Sequence, residues 1–344
     1  ISTDSIAARS DGYSIPHATV DGNDVQAVYK ACKIAVDTIR ATSKPYFLEL
    51  KTYRSCGHSK SDPCIYRSRE EESYWSKLDP IFLFSRTLVD TGIYSEEEVA
   101  KILFEARQRV DAAALDAMAV RDTKISLEQA KEYLFAPEDE DFLKTCKSTT
   151  RISYREAIRE ALAEEMSRDS SVHLIGEDIG LYGGCFKVTG DLFKDHRAQI
   201  HETPVSEEAF TGLAVGSAML GLRPVVEIMY GDFSTLASDP IINHAAKIRF
   251  MSAGQLSCPM VLRSPIGSGT GHGAQHTQCL EAMFANIPGL IIVAPSCPGD
   301  AKALLKSAIR SNNPVLYFEH KHLYNNLGPV GDEQYLLQLG KAIV

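Results

Sequence analysis

The feature that most constrains the fold of this chain is found in its second half, where short apolar segments alternate with helical segments. Segments of strand length lie at 172–176, 224–229, 259–264, 290–293 and 315–318, and segments of helical period lie at 153–167, 206–220, 235–252 and 299–311. Strands and helices that alternate in this way predict an α/β fold with a mostly parallel, doubly wound sheet.

The first half predicts a smaller α/β unit followed by helices. A helical period from Asp24 to Thr42 is followed by an apolar strand segment at 45–50. Beyond a polar loop at 51–68, charged periodic segments up to about residue 133 indicate three or more helices. Residues 135–150 include an acidic run and have no apolar period, so we expect an exposed linker there.

Composition excludes several classes of function. The chain has 344 residues, a net charge of -9 and 44% hydrophobic residues, which is typical of a soluble globular protein with two domains. The acidic balance argues against nucleic acid or an anionic membrane as the main partner. No apolar run reaches the length of a membrane span, and no signal peptide opens the chain.

The cysteines indicate reduced thiols. Eight cysteines without a regular framework fit a cytoplasmic protein, so we expect cytoplasmic localisation. The nearest grouping is Cys56, His58 and Cys64. Zinc would need a further pair at ligand spacing, and none follows, which disfavours a structural metal there.

Three places could carry chemistry. His276 lies in a loop with four glycines between two apolar strands, where a histidine can move protons, although His272 and His276 could also be ordinary polar loop residues. Glu207 opens a helix that soon becomes apolar, where a carboxylate is either a cap or, if buried, a proton holder with a raised pKa. The loop at 51–63 holds Arg54 and His58 and is either solvated or able to bind phosphate.

Several ordered motifs resemble one enzyme family. They are Val20–Asp24, Gly57–Asp62, the Tyr-Arg-Ser-Arg-Glu-Glu run at 66–71, Gln275–Gln278 and Pro288-Gly289. Together they resemble the thiamine-diphosphate-dependent first component of 2-oxo acid dehydrogenase complexes, including acetoin dehydrogenase. The resemblance implies a thiamine-diphosphate-binding fold, with alpha and beta subunits fused in one chain.

The resemblance also implies domain borders. Residues 1–135 resemble the second half of the alpha subunit's diphosphate-binding domain with a helical extension, and 151–330 resemble the beta subunit's pyrimidine-binding domain. Residues 136–150 would form the linker between them. Residues 331–344 resemble the start of a carboxyl-terminal domain, so the chain is expected to be an internal segment of a longer protein.

The family's functional residues transfer to five positions of this chain. Glu207 matches the carboxylate that hydrogen-bonds the aminopyrimidine of the cofactor, and Phe233 matches an aromatic that packs on that ring. His276 matches a histidine credited with proton transfer and with passing the acyl group to lipoamide. His58 matches a loop histidine near the diphosphate and the substrate, and Ser59 matches a serine that is phosphorylated in mitochondrial members.

The resemblance implies a potassium site within this chain but no magnesium site. Backbone carbonyls that hold potassium in some relatives match Met260, Ala308, Ile309, Ser311 and Asn313. Ser311 stands where aspartate is common, a change that a carbonyl ligand tolerates. The Gly-Asp-Gly motif that holds magnesium and the diphosphate does not occur in this sequence. We therefore expect the magnesium ligands to lie outside the segment, and the segment alone to bind the cofactor weakly.

The resemblance implies oxidative decarboxylation of a 2-oxo acid, or cleavage of acetoin, with acyl transfer to lipoamide. The expected partners are a lipoyl-bearing acyltransferase and further copies of the chain, in a homodimer or larger assembly. A transketolase-like enzyme and a non-catalytic scaffold of the same fold are the alternatives. The substrate stays open, because residues 58–63 resemble the pyruvate group while residues 318–321 resemble the acetoin and branched-chain groups.

Overall fold

The chain forms two compact units. A computed structural model describes residues 5–59, 62–138, 150–269, 271–331 and 335–341. The units are Ile1–Thr123 and Lys124–Val344. No helix in these ranges is long and apolar enough to cross a membrane. The domain borders expected at residues 135 and 150, like the cytoplasmic localisation, stay predictions.

The first unit contains a small parallel sheet and three further helices. Its elements are a 3-10 helix (Ala7–Tyr13), β1 (His17–Asp21), α1 (Val25–Thr42), β2 (Phe47–Lys51), α2 (Arg69–Ser76), α3 (Pro80–Asp90) and α4 (Glu96–Ala119). Strands β1 and β2 pair in parallel and α1 connects them. Helix α1 begins where it does because the Asp24 carboxylate accepts hydrogen bonds from the amides of Gln26 and Ala27.

The second unit begins with a helix and continues as an α/β domain. Its helices are α5 (Leu127–Leu134), α6 (Tyr154–Arg168), α7 (Leu192–Asp195), α8 (Glu207–Met219), α9 (Ile248–Met251), α10 (Glu281–Ala285) and α11 (Pro298–Arg310). Its strands are β3 (Arg151–Ser153), β4 (Val172–Gly176), β5 (Ile200–Glu202), β6 (Arg223–Glu227), β7 (Val261–Ile266), β8 (Ile291–Val293), β9 (Val315–His320) and β10 (Leu327–Pro329). Short 3-10 helices lie at Arg197–Gln199, Gly231–Thr235 and Lys321–Leu323, and a π-helix lies at Pro240–Ala245.

Six strands form the central sheet in the order β5-β4-β6-β7-β9-β8, and every neighbouring pair is parallel. One apolar cluster packs α6 and α11 against one face of the sheet, and a second packs α8 against the other face. This arrangement confirms the predicted doubly wound parallel sheet. All six carboxyl ends lie along the same edge, where α/β folds bind ligands.

The segment predicted as helical over 235–252 is helical for most of its length but is not one regular α-helix. The chain instead forms the π-helix Pro240–Ala245 and the single turn α9. Pro240 has no amide hydrogen and cannot donate to the carbonyl four residues earlier, so a regular α-helix cannot run through it. Strand β5 was also not predicted, because its three residues, Ile-His-Glu, contain no apolar run.

The described part of the expected linker is exposed at Pro137 and Glu138 but is anchored to the rest of the unit. Ala136 is buried, its amide donates to Asn313 Oδ1 at 2.6 Å, and Asn313 Nδ2 donates back to the Ala136 carbonyl at 3.0 Å. The Glu138 carboxylate accepts from Ser311 Oγ at 2.5 Å. Residues 136–138 therefore lie against the turn that follows α11, while the expectation for 139–149 falls outside the described residues.

Candidate active site

Five polar or aromatic side chains lie at the carboxyl edge of the large sheet. Glu177 follows β4, Glu207 opens the helix after β5, and Phe233 lies in the 3-10 helix after β6. His276 lies in the loop after β7, and Lys321 follows β9. Because the strands are parallel, residues that follow them in sequence collect at one edge of the sheet.

Glu207 is a largely buried carboxylate in the first turn of α8. It is 7% exposed, and Ser206, the N-cap, makes no side-chain cap. Within the described ranges the Glu207 carboxylate accepts no side-chain hydrogen bond. The positive end of the helix dipole favours a carboxylate at this place. Such a carboxylate is suited to accept a hydrogen bond from a ligand that brings an N–H group.

Glu177 is the acidic neighbour of Glu207, and the sequence analysis missed it. Its side chain is buried, and its Oε1 accepts a hydrogen bond from the Ser206 amide at 3.2 Å. Burial, followed by the negative charge of Glu207, raises the pKa of Glu177. Glu177 therefore keeps its proton to a higher pH than an isolated glutamate would. The signal available in the sequence was a carboxylate directly after the apolar run at 172–175.

Aromatic rings surround His276. Its imidazole lies edge-on to Tyr230, with ring centroids 4.6 Å apart, and edge-on to Phe233 at 5.2 Å. The Tyr230 hydroxyl lies 3.4 Å from His272 Nδ1 and accepts from Cys185 Sγ at 3.9 Å. Burial, with Cys185 beside the hydroxyl, raises the pKa of Tyr230 to about 12, so the phenol stays protonated near neutral pH.

The loop of His276 depends on glycines and on a polar anchor, Lys321. Gly267 and Gly273 have φ angles of 85° and 76°, which side chains with a Cβ adopt only at a cost. Lys321 Nζ donates to the carbonyl of His276. The predicted order of strand, glycine-rich loop, short helix and strand is confirmed by β7, α10 and β8, although α10 starts five residues after His276.

His58 and Ser59 lie in the first unit, in a loop organised by Asp62. The Asp62 carboxylate accepts from the His58 amide at 2.6 Å, the Cys64 amide at 2.9 Å and the Tyr66 hydroxyl at 2.9 Å. These bonds lower the pKa of Asp62, with the Cys64 amide contributing most. The side chains of His58 and Ser59 are both exposed. The loop thus holds His58 at the surface of this unit.

The five residues of the expected potassium site are all buried. Arg223 Nη1 donates to the carbonyls of Ile309 at 3.1 Å and Ser311 at 2.8 Å, so two of the expected ligands already face a cation. The Met260 carbonyl accepts from the Val315 amide at 2.9 Å. Among the described residues, no group of three or more histidine, cysteine or carboxylate side chains could hold a metal ion, including the segment with Cys56.

The structure therefore joins some of the predicted site residues. Phe233 and His276 are in contact, and Glu207 lies beside Glu177 along the same sheet edge. The sequence analysis missed Glu177, Tyr230, Asp232 and Lys321, which come into the site through their positions after strands. Lys321 ends the run 318–321 that resembles the acetoin and branched-chain groups, but that resemblance did not mark it as a site residue.

Two family models match the chain in sequence. "Transketolase, pyrimidine binding domain" matches residues 150–326, more than half of the chain, and "Dehydrogenase E1 component" matches residues 1–126. With the parallel sheet, these matches define a thiamine-diphosphate-binding fold of the transketolase type. The chain belongs to the family of thiamine-diphosphate-dependent 2-oxo acid dehydrogenase first components, known as E1.

Individual relatives agree with this family. The 2-oxoisovalerate dehydrogenase subunit beta of Bacillus subtilis is 47% identical over 195 residues, which cover 56% of this chain and 60% of that protein. The pyruvate dehydrogenase E1 component subunit beta of Gracilaria tenuistipitata var. liui is 49% identical over 194 residues, with the same two coverages. The chain thus spans about 60% of the length of these relatives. A solved structure, a split gene transketolase described as an inactive beta4 tetramer, matches with 20% identity and a TM-score of 0.41 over 49% of this chain and 52% of that one.

Proposed function

We propose that the intact protein oxidatively decarboxylates a 2-oxo acid and passes the acyl group to a lipoyl group of a partner acyltransferase. The observation that carries this proposal is the buried Glu207 carboxylate at the start of α8, without a described partner and beside Glu177. The match of residues 1–126 to the dehydrogenase E1 component favours this function over a transketolase-like one. Glu207, Phe233 and His276 lie at the same edge of the sheet, which argues against a non-catalytic scaffold.

The residues present fit the pyrimidine side of thiamine diphosphate. When bound, the cofactor supplies the electron sink for loss of carbon dioxide from the 2-oxo acid. Glu207 would accept a hydrogen bond from an N–H of the aminopyrimidine ring. Glu177 has a raised pKa, and it would hold the proton, or share it, beside Glu207 and the aminopyrimidine ring. Phe233 would pack on the ring and exclude water from it.

His276 would act at the mouth of the site. Its ring lies against Phe233 and Tyr230, so its position relative to the pyrimidine side is fixed. A histidine there can donate or accept a proton when the acyl group leaves for lipoamide. His58 would bind near the diphosphate and the substrate, and Ser59 would be a site of phosphorylation.

The metal ions and the assembly belong to the same proposal. Thiamine diphosphate would be bound together with magnesium, and the backbone carbonyls of Met260, Ala308, Ile309, Ser311 and Asn313 would hold potassium. A homodimer or larger assembly and a lipoyl-bearing partner would complete the enzyme. The relatives are named for pyruvate and for 2-oxoisovalerate, so both substrates are candidates beside acetoin.

The test is an assay of the intact protein with thiamine diphosphate, magnesium and an artificial electron acceptor. Pyruvate, 2-oxoisovalerate and acetoin are compared as substrates. We expect Glu207→Gln to lower kcat about 10²- to 10⁴-fold, the range typical of acid-base groups. Glu208→Gln, at the exposed neighbouring carboxylate, is the matched control and should leave kcat unchanged. Equal turnover of Glu207→Gln and wild type would overturn the proposal.

A further inference from the structure

We infer that Asp232 and Lys321 are a pair of positioning residues that clamp the His276 loop onto the aromatic rings of Phe233 and Tyr230. The catalytic consequence of this clamp rests on the proposed function, whereas the clamp itself is a property of the fold. Neither residue needs to contact the substrate. They hold the backbone on both sides of Thr277 and thereby fix the direction of the His276 ring.

Lys321 supplies the first anchor. Its side chain is 5% exposed, and Nζ donates to the carbonyl of His276. The same ammonium group lies 5.0 Å from the centroid of the Tyr230 ring, over which a cation is favourably placed. Lys321 therefore joins the His276 backbone and one of the rings that contact the His276 imidazole.

Asp232 supplies the second anchor from another strand end. Its Oδ1 accepts from the side-chain amide of Gln278 at 2.8 Å and from the Gln278 backbone amide at 3.3 Å. Asp232 is also the residue directly before Phe233 in the same 3-10 helix. A displacement of Asp232 would therefore move both Phe233 and the loop that carries His276.

Asp232 and Lys321 also carry opposite charges. Asp232 is 5% exposed, and among the described residues its Oδ2 has no hydrogen-bonding partner. Burial lowers the pKa of Lys321, and the negative charge of Asp232 is the strongest influence that opposes this shift. Each buried charge thus reduces the cost of burying the other. The loop is held by a charged pair that comes from the ends of β6 and β9.

The clamp is tested first without any assay of activity. Hydrogen exchange of the His276 and Gln278 amides is followed by mass spectrometry or NMR in Lys321→Met and Asp232→Ala. We expect exchange about ten-fold faster in each variant, because each loses one anchoring interaction. Lys321→Arg and Asp232→Asn keep a donor and an acceptor and should restore most of the protection.

Lys302→Met is the matched control for the loss of a buried lysine. Lys302 is also 5% exposed but bonds to Glu160 and Glu164 on α6, away from the loop. This variant should leave exchange at residues 271–278 as in wild type. If Lys321→Met and Asp232→Ala also leave this exchange unchanged, or if Lys302→Met accelerates it equally, the clamp does not exist.

Turnover then tests the catalytic consequence. With the intact protein we expect Lys321→Met to lower kcat about 10- to 100-fold through misplacement of His276, with KM for the cofactor unchanged and with recovery in Lys321→Arg. An inactive wild type with faster loop exchange in the variants would refute the proposed function and leave the clamp standing. Full turnover in variants with a loosened loop would refute the positioning role alone.

Discussion

Glu177 and Glu207 are two buried carboxylates in electrostatic contact at the start of α8. Burial of Glu177, and then the charge of Glu207, raise the pKa of Glu177, while the Ser206 amide opposes the shift by donating to its Oε1. Glu177 therefore keeps its proton to a higher pH than an isolated glutamate would. A protonated carboxyl beside Glu207 suits a site that binds a basic ring nitrogen.

This relationship predicts how stability depends on pH. Because the folded pKa of Glu177 is raised, its contribution to stability is present at low pH and is lost as the pH rises from its ordinary value through the raised one. Glu177→Gln removes that loss. We expect the free energy of unfolding, measured in urea across a pH series, to fall less steeply over this window in Glu177→Gln than in wild type. Parallel curves for the two proteins would contradict the assignment.

In the first unit, the lowered pKa of Asp62 predicts the opposite dependence of stability on pH. Its pKa is lowered, chiefly by the Cys64 and His58 amides, so the stabilisation it provides is present above its ordinary pKa and is lost as the pH falls. Asp62→Ala should speed hydrogen exchange of the His58 and Cys64 amides several-fold at neutral pH and abolish the acid dependence of that exchange. Tyr66→Phe removes only the third donor and should have the smaller effect. Unchanged exchange in Asp62→Ala would show that other contacts hold the loop.

The helices could be predicted from the sequence where the helical spacing of apolar residues was long enough. Helices α1, α6, α8 and α11 match their predicted ranges within about two residues, because their apolar spacing persists over several turns. Strands β3, β5 and β10 have three residues each and no apolar run, whereas β8 is equally short but was predicted from its run of apolar residues. The interruption at Pro240 follows from a residue that is visible in the sequence, but it was not part of the prediction.

The site was predictable only in part, since most of it assembles through space. His276 and Phe233 were found through the family motifs, and the structure places their rings in contact. Asp232 and Lys321 lie 89 positions apart in the sequence, and no pattern in the sequence connects them. They meet the same loop only because β6, β7 and β9 are neighbours in the sheet, an order that the sequence alone does not reveal.

Substitution of the buried Arg263 is expected to lower the stability of the second unit strongly. It is 1% exposed and donates to both oxygens of Glu319 at 2.8 Å and to Glu227, and Tyr324 Oη donates to Glu319 at 2.8 Å. Arg263→Met leaves two buried carboxylates without their cation, so we expect a loss of about 3–5 kcal/mol in the free energy of unfolding in urea. Adding Glu319→Gln should recover part of this loss, because it removes one of the two charges.

The control for this prediction is an exposed cation in the same unit. Lys194 is 70% exposed in its side chain, so Lys194→Met should change the free energy of unfolding by less than about 0.5 kcal/mol. A cost of Arg263→Met as small as that of Lys194→Met would show that the buried network contributes nothing. No recovery in the double variant would instead place the loss in packing.

Arg223 makes the potassium site testable. Its Nη1 donates to three successive carbonyls, those of Ile309, Arg310 and Ser311, so the guanidinium already neutralises oxygen atoms that potassium would bind. We therefore expect potassium chloride, compared with sodium chloride at equal ionic strength, to raise the Tm of wild type less than that of Arg223→Met. The substitution itself should cost about 1–3 kcal/mol, because buried acceptors lose their donor. If potassium and sodium give the same Tm in both proteins, these carbonyls hold the arginine and no metal ion.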